Sequence, residues 1–341
     1  MVARSIAWVD AWQRGHALGG LPIAVLKKFS EDRASSLAAL VAYYAFFALF
    51  PLLLALVSVV GFVLDGNPSL QDDVVDTALG RIPVIGVQLR DDVHPLTGSG
   101  VALAVGVVGA LWAGLRVTVA LGTAFAEIWD VPRLEQPSGL RSRGRGLAVL
   151  VILAAMLVAA TVPTGVAVGG GADAVVEHGA AVIASLAING VVFLAIFALL
   201  TPGPRQIRAL LSGVTLAAVG WLVLQALGGW YVDRVIADAS ATYGTFALVI
   251  GLLSWFWLGS LLVLLAAEVN VVLVWRLWPR SLAGEPEPAD RRVLRRLAES
   301  TRRDRGEEIS VAFSDDPSSP TVDQSPSTRP PAVQRPGRRR A

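Results

Sequence analysis

The chain has 341 residues, 54% of them hydrophobic and only 16% charged, with a mean hydropathy of +0.59. A soluble domain of this size carries charge on roughly a quarter of its residues, so an ordinary water-soluble globule is excluded and an integral membrane protein is indicated. A net charge of +2 supplies no field for a nucleic acid, and the absence of cysteine excludes a disulfide framework or a thiolate site.

Residues 1–36 hold no apolar stretch of the length a signal peptide needs, so no cleaved leader is expected. The pieces "SIAWVDAW" and "LPIAVLKKF" read as short amphipathic segments lying in the membrane interface, or as a frayed terminus over residues 1–20. Lys27 and Lys28 are the only lysines among 29 basic residues.

Six apolar runs follow, at about 37–64, 99–121, 147–168, 181–201, 209–230 and 246–275. Each reaches the ~20 residues that cross a ~30 Å hydrocarbon core. The first and last are longer than a perpendicular crossing requires, so they must tilt, bend or emerge from the bilayer. The expected fold is all-α, an integral membrane bundle of six transmembrane helices.

Within the first span, "YYAFFALFPLLL" places Pro51 where it removes a backbone hydrogen bond and predicts a kink. Tyr43, Tyr44, Phe46, Phe47 and Phe50 precede it and suit core packing, lipid contact or the lining of an amphiphile site. The second span carries Arg116, with Ala120, Thr123 and Glu127 on the same helical stripe. Gly106, Ala110 and Gly114 recur every four residues there and permit close approach of another helix.

Lys and Arg set the orientation. Twenty-five fall in segments on one side of the spans and three on the other, which places both termini in the cytoplasm. The 65–98 loop is then outside. It is acidic, and its "SLQDDVVDTAL" can form a short surface helix. The 168–173 "VGGGAD" stretch reads as a flexible outer turn. Beyond residue 278 the composition changes to a basic, Pro/Ser/Arg-rich tail, 279–341. One short basic helix with apolar Val293, Leu294 and Leu297 fits there, followed by sequence that cannot bury a core. Truncation after Leu282 is therefore expected to leave the bundle intact. The domain reading is an interfacial segment 1–36, a membrane domain 37–278 and a disordered tail.

Chemistry-bearing constellations are scarce. His16, His94 and His178 are far apart and have no metal-ligand spacing, and there is no phosphate-binding glycine loop or nucleophile elbow. No enzyme activity and no cofactor or metal are expected. Intramembrane polar residues are the alternative, because they are costly in lipid and face protein or water. They are Arg116, Asn189, Gln225, Glu268 and Asn270. Glu268 in "LLAAEVNVVLVW" is either paired inside the bundle or a carboxylate at headgroup level. The paired reading has Arg116 facing it across spans two and six, with Asn270 turned toward a different neighbour.

Three stretches, "LAALVAYYAFFALFPLLLALVSVVGF", "LWAGLRVTVALGTAFAEIWDVPR" and "ATYGTFALVIGLLSWFWLGSLLVLLAAEVN", resemble signature segments of the YihY/BrkB family over about residues 22–278. The resemblance places Tyr43, Tyr44, Pro51, Arg116, Trp129, Tyr243, Gly244, Glu268 and Asn270 on motif positions. It implies a bacterial six-span inner-membrane protein of a group once labelled ribonuclease BN. The loop "TPGPRQIRALLSG" departs from the family's basic, Trp-containing segment. The functional expectation is a transporter or lipid translocator for an amphiphilic or anionic substrate, with membrane lipids as partners and no nucleic acid. The alternative is a structural or assembly factor of the cell envelope, with a membrane nuclease ranking last. A homo-oligomer is left open.

Overall fold

The computed structural model of the chain describes residues 10–15, 17–63, 100–136, 139–161, 174–202, 206–231, 245–282, 285–304 and 306–313. Among these the regular structure is helical throughout: α1 (Ala17–Glu31), α2 (Ala34–Val63), α3 (Gly100–Ile128), α4 (Gly139–Thr161), α5 (Ala174–Leu200), α6 (Leu211–Tyr231), α7 (Thr245–Trp275) and α8 (Pro288–Ser300). A 3-10 turn, Ile207–Ala209, leads into α6. The all-α membrane class holds. Five helices among the described residues are long and apolar enough to cross a membrane, within α2, α3, α5, α6 and α7. The expected third span coincides with α4 over 147–161, and its remaining residues lie outside the described ones. So do the 65–98 loop, the glycine turn, Tyr243 and Gly244.

The long α7 is the centre of the bundle and packs against α1, α2, α3 and α6. Its C-terminal half, from Leu264 onward, and Leu277 just beyond its end supply much of the main core together with Phe125 and Ile128 of α3 and Phe197 of α5. Edge-on aromatic pairs lock this end: Phe125 meets Phe197 at 5.3 Å between centroids, and Trp129 meets Trp275 at 5.5 Å.

Pro51 lies inside α2 without ending it. The two helices α2 and α3 make the closest packed pair, and glycines allow it. A Cβ on Gly106 would fall 2.8 Å from the Ala55 amide nitrogen, and one on Gly109 would fall 3.0 Å from Pro51 Cβ. Gly114 faces Leu150 of α4 instead. The small-residue stripe therefore serves two neighbours and does not bring α3 to α7 at Glu268. The cause is rotation: eight residues at ~100° each turn the helix face by about 80° from Gly106 to Gly114.

Two helix ends close with a residue in the left-handed region. Asp130 (φ 46°) follows α3 and Arg276 (φ 51°) follows α7. At both, the paired hydrogen bonds of a Schellman motif form, Val131 N–H to Ala126 O and Leu277 N–H to Val272 O, both at 3.0 Å. The second motif turns the chain back beneath the bundle. The short basic helix expected in the tail is α8, and it is docked on the bundle. Residues 285–300 fold against the bundle, with Ala289, Asp290 and Val293 of α8 buried. The sequence at its start specifies this: Pro288 stands at the first turn, and Glu287 with Asp290 forms a reciprocal capping box.

Candidate functional site

Helix α1 delivers Lys28 to the underside of α7. Lys28 is fully buried, and its ammonium has three acceptors: the Asp32 carboxylate in a short contact, the Ile128 carbonyl at 3.2 Å and Asp130 Oδ1 at 3.4 Å. The Ile128 carbonyl is among the last of α3, where a helix favours a cation. An ammonium has three N–H bonds, and these acceptors use them all.

Glu268 shares this site and is also fully buried, yet neither of its oxygens accepts a hydrogen bond. It lies in the field of Lys28, Asp32 and Asp130. One cation thus stands among three carboxyl groups in a desolvated pocket, and Asp130 Oδ2 is also without a partner.

The electrostatics outside the spans follow from this crowding. Burial acts to lower the Lys28 pKa, but the surrounding carboxyls of Glu268, Asp32 and Asp130 outweigh it and hold the ammonium above the usual lysine range. Burial pushes Asp32 up, against the opposing pull of Lys28. Burial likewise pushes Asp130 up, to about 6, with Lys28 offsetting part of the rise.

A second charged network lies beside the first and ties α8 to α1. Arg280, 2% exposed, donates through Nε to Asp290 Oδ1 at 2.6 Å and through Nη2 to both Glu31 oxygens at 2.8 Å. Lys27 donates to Asp290 Oδ1 at 2.8 Å and to the Ser281 carbonyl at 2.6 Å. Asp290 also receives the Ser281 N–H at 2.8 Å. Although burial acts against its charge, these donors hold the Asp290 carboxyl below its usual range. The Arg296 guanidinium covers the Trp275 ring, 3.6 Å from its centroid.

Two clefts open from the clusters. One of about 360 Å³ lies between α1 and α8, and one of about 820 Å³ runs toward Arg133 and Arg302. Glu31, Asp32, Asp130 and Leu297 line both. Asp32 and Asp130 thus stand between the enclosed Glu268 and open space.

The other residues singled out in the sequence do not join this site. The Arg116–Glu268 pairing is corrected. Arg116 is exposed, with its guanidinium carbon 5.1 Å from the Trp112 ring centroid. Of its stripe only Ala120 is buried, while Thr123 and Glu127 are exposed, so the stripe is the outer face of α3. Asn189 bonds back to Ser185 O at 2.9 Å, and Gln225 is exposed. Tyr43 and Phe47 are exposed and Tyr44 half-buried, so the aromatic row is an outer face of α2. Asn270 does turn to a different neighbour: its Oδ1 accepts the Gly213 N–H at 2.7 Å. That amide lies in the first turn of α6, where a helix has no partner of its own to offer. Lys28, Asp32, Asp130 and Arg280 were not singled out as site residues from the sequence. The signals were there: the lone lysine pair, an acid four residues after Lys28, and an acid directly after Trp129.

A family model described as "Virulence factor BrkB" matches residues 25–291, a stretch that takes in both charged networks. A Bacillus subtilis protein, "Putative ribonuclease-like protein YfkH", is 26% identical over 220 residues, 60% of this chain and 79% of the relative. No solved structure matches.

Proposed function

Because the chain belongs to the BrkB family, a family of multi-pass membrane proteins, we propose that it acts in the bacterial inner membrane as a transporter or lipid translocator for an amphiphilic or anionic substrate. The observation that carries this reading is the enclosed Lys28–Asp32–Asp130–Glu268 cluster at the inner end of the bundle. A structural bundle gains little from it, since buried ions replaced by apolar residues are often neutral or stabilising. Intramembrane ionisable groups with incomplete pairing mark ion and substrate pathways. With the termini cytoplasmic, as the positive-inside bias has it, the two clefts open on the cytoplasmic side.

The substrate class is supported by Arg116. It is exposed within a span and stacked on Trp112, a cation set at an apolar surface where an anionic headgroup would find it. The ribonuclease in the relative's name does not transfer well. The buried cluster holds three carboxyls to one lysine, the wrong sign for a polyanion.

The test is reconstitution of the full chain in liposomes. Movement of fluorescent anionic lipid between leaflets, or flux of small anions, should exceed that of protein-free liposomes and fall with Asp32→Asn. Rates equal to empty liposomes for every probe would overturn transport and favour an assembly factor.

A further inference from the structure

We propose that the Asp32–Glu268 carboxyl pair is a proton-binding site that exchanges with the cytoplasmic clefts through Asp32 and Asp130. Hydrogen-bond donors are what the pair lacks. Lys28, the cation that faces Glu268 among the described residues, spends its three N–H bonds on Asp32, Asp130 and the Ile128 carbonyl. Glu268 is fully enclosed and receives none. A carboxylate without a donor in a desolvated site is among the most costly buried groups. It becomes tolerable once the Glu268 oxygen carries a hydrogen and gives it to Asp32.

The surroundings limit what else the site could take. Helices α2 and α6, which also pack on α7, carry no Asp, Glu, Lys or Arg. Helix α3 also packs on α7 but its Arg116 and Glu127 are exposed, so among the described residues the charged groups around the pair are Lys28, Glu31, Asp32 and Asp130, with Arg296 acting on Asp130 from α8. Among the described residues no group of acids and histidines is arranged to hold a metal ion.

The route for a proton is short. Glu268 has no exposed surface, whereas Asp32, whose charge acts on it, lines both clefts. A proton taken from solvent by Asp32 or Asp130 can pass to Glu268, leaving the cluster one unit less negative. The roof of this route is α8, held by Asp290 to Lys27 and Arg280.

As a coupling site the pair rests on the transport reading, but proton binding is measurable without transport. Infrared spectra of the full-length protein in nanodiscs at neutral pH should show a protonated-carboxyl band. It should be lost in Glu268→Gln and shifted in Asp32→Asn. In the unmodified protein the band should fade on alkaline titration while one proton per chain is released to a pH-indicator dye. A wild-type spectrum with no such band, or a band unchanged in Glu268→Gln, would overturn the proposal. So would a band that sodium removes at constant pH, which would make the site one for a metal cation. Absence of flux beside a clear Glu268 band would refute transport and leave the proton site standing.

Discussion

The Gly213 amide donates to the Asn270 carboxamide at 2.7 Å, joining the first turn of α6 to the C-terminal half of α7. Gly213 is required by the closeness of this contact. A Cβ there would lie 2.2 Å from the Ala266 carbonyl and 2.4 Å from Asn270 Nδ2. Asn270→Leu should cost about 1–3 kcal/mol by leaving a buried amide without an acceptor. Gly213→Ala should cost at least as much through the clash with backbone, so both variants should unfold earlier in detergent. Wild-type thermal midpoints in both would show that the contact adds nothing to stability.

Asp130 gives the protein a pH-dependent stability. Its folded pKa of about 6 stands above the ordinary 3.8, so the folded state binds more protons between those values. Stability from this group is full below about pH 4 and is lost as pH rises through 6, on the order of 3 kcal/mol in all. Asp130→Asn should flatten that slope, and asparagine accepts the left-handed backbone found there. A slope unchanged in the variant would assign the dependence to other groups.

Truncation after Leu282 should lower expression and thermal stability, because it removes Asp290 from Lys27 and Arg280 and uncovers Trp275. Truncation after Phe313 should leave both unchanged, since the remaining residues are polar and Pro-rich. Equal behaviour of the two shortened chains in a melting assay would contradict the docking of α8.

Orientation can be read by labelling intact cells. A cysteine at the exposed Gly179, in the second turn of α5, should react with an impermeant maleimide, while one at Glu299 of α8 should react only after lysis. The opposite pattern would invert the bundle and place the clefts outside.

Five of the six expected spans match long apolar helices among the described residues, and they were legible because the bilayer fixes their length, while a water-soluble core rarely calls for an apolar run that long. Glu268 and Asn270 were legible as anomalies within such a run. Their partners were not. Periodicity gives the stripe on which Arg116 lies but not which neighbour that stripe faces, and the stripe proved to be the outer face of α3. Lys28 was hidden for a different reason. It belongs to a 15-residue helix that resembles an interfacial segment by composition, yet tucks beneath α7. The short helix around Val293 was legible in the tail, but not its docking, because three apolar residues do not say which surface they meet.

Glu268 belongs to the cluster formed by Lys28, Asp32 and Asp130 and has no tie to Arg116. Double-mutant cycles in reversible detergent unfolding test this most directly. Asp32→Asn combined with Glu268→Gln should depart from additivity by more than ~0.5 kcal/mol, the mark of groups in contact. Arg116→Gln combined with Glu268→Gln should add within that margin. Coupling of Glu268 to Arg116, with additivity toward Asp32, would contradict the buried cluster.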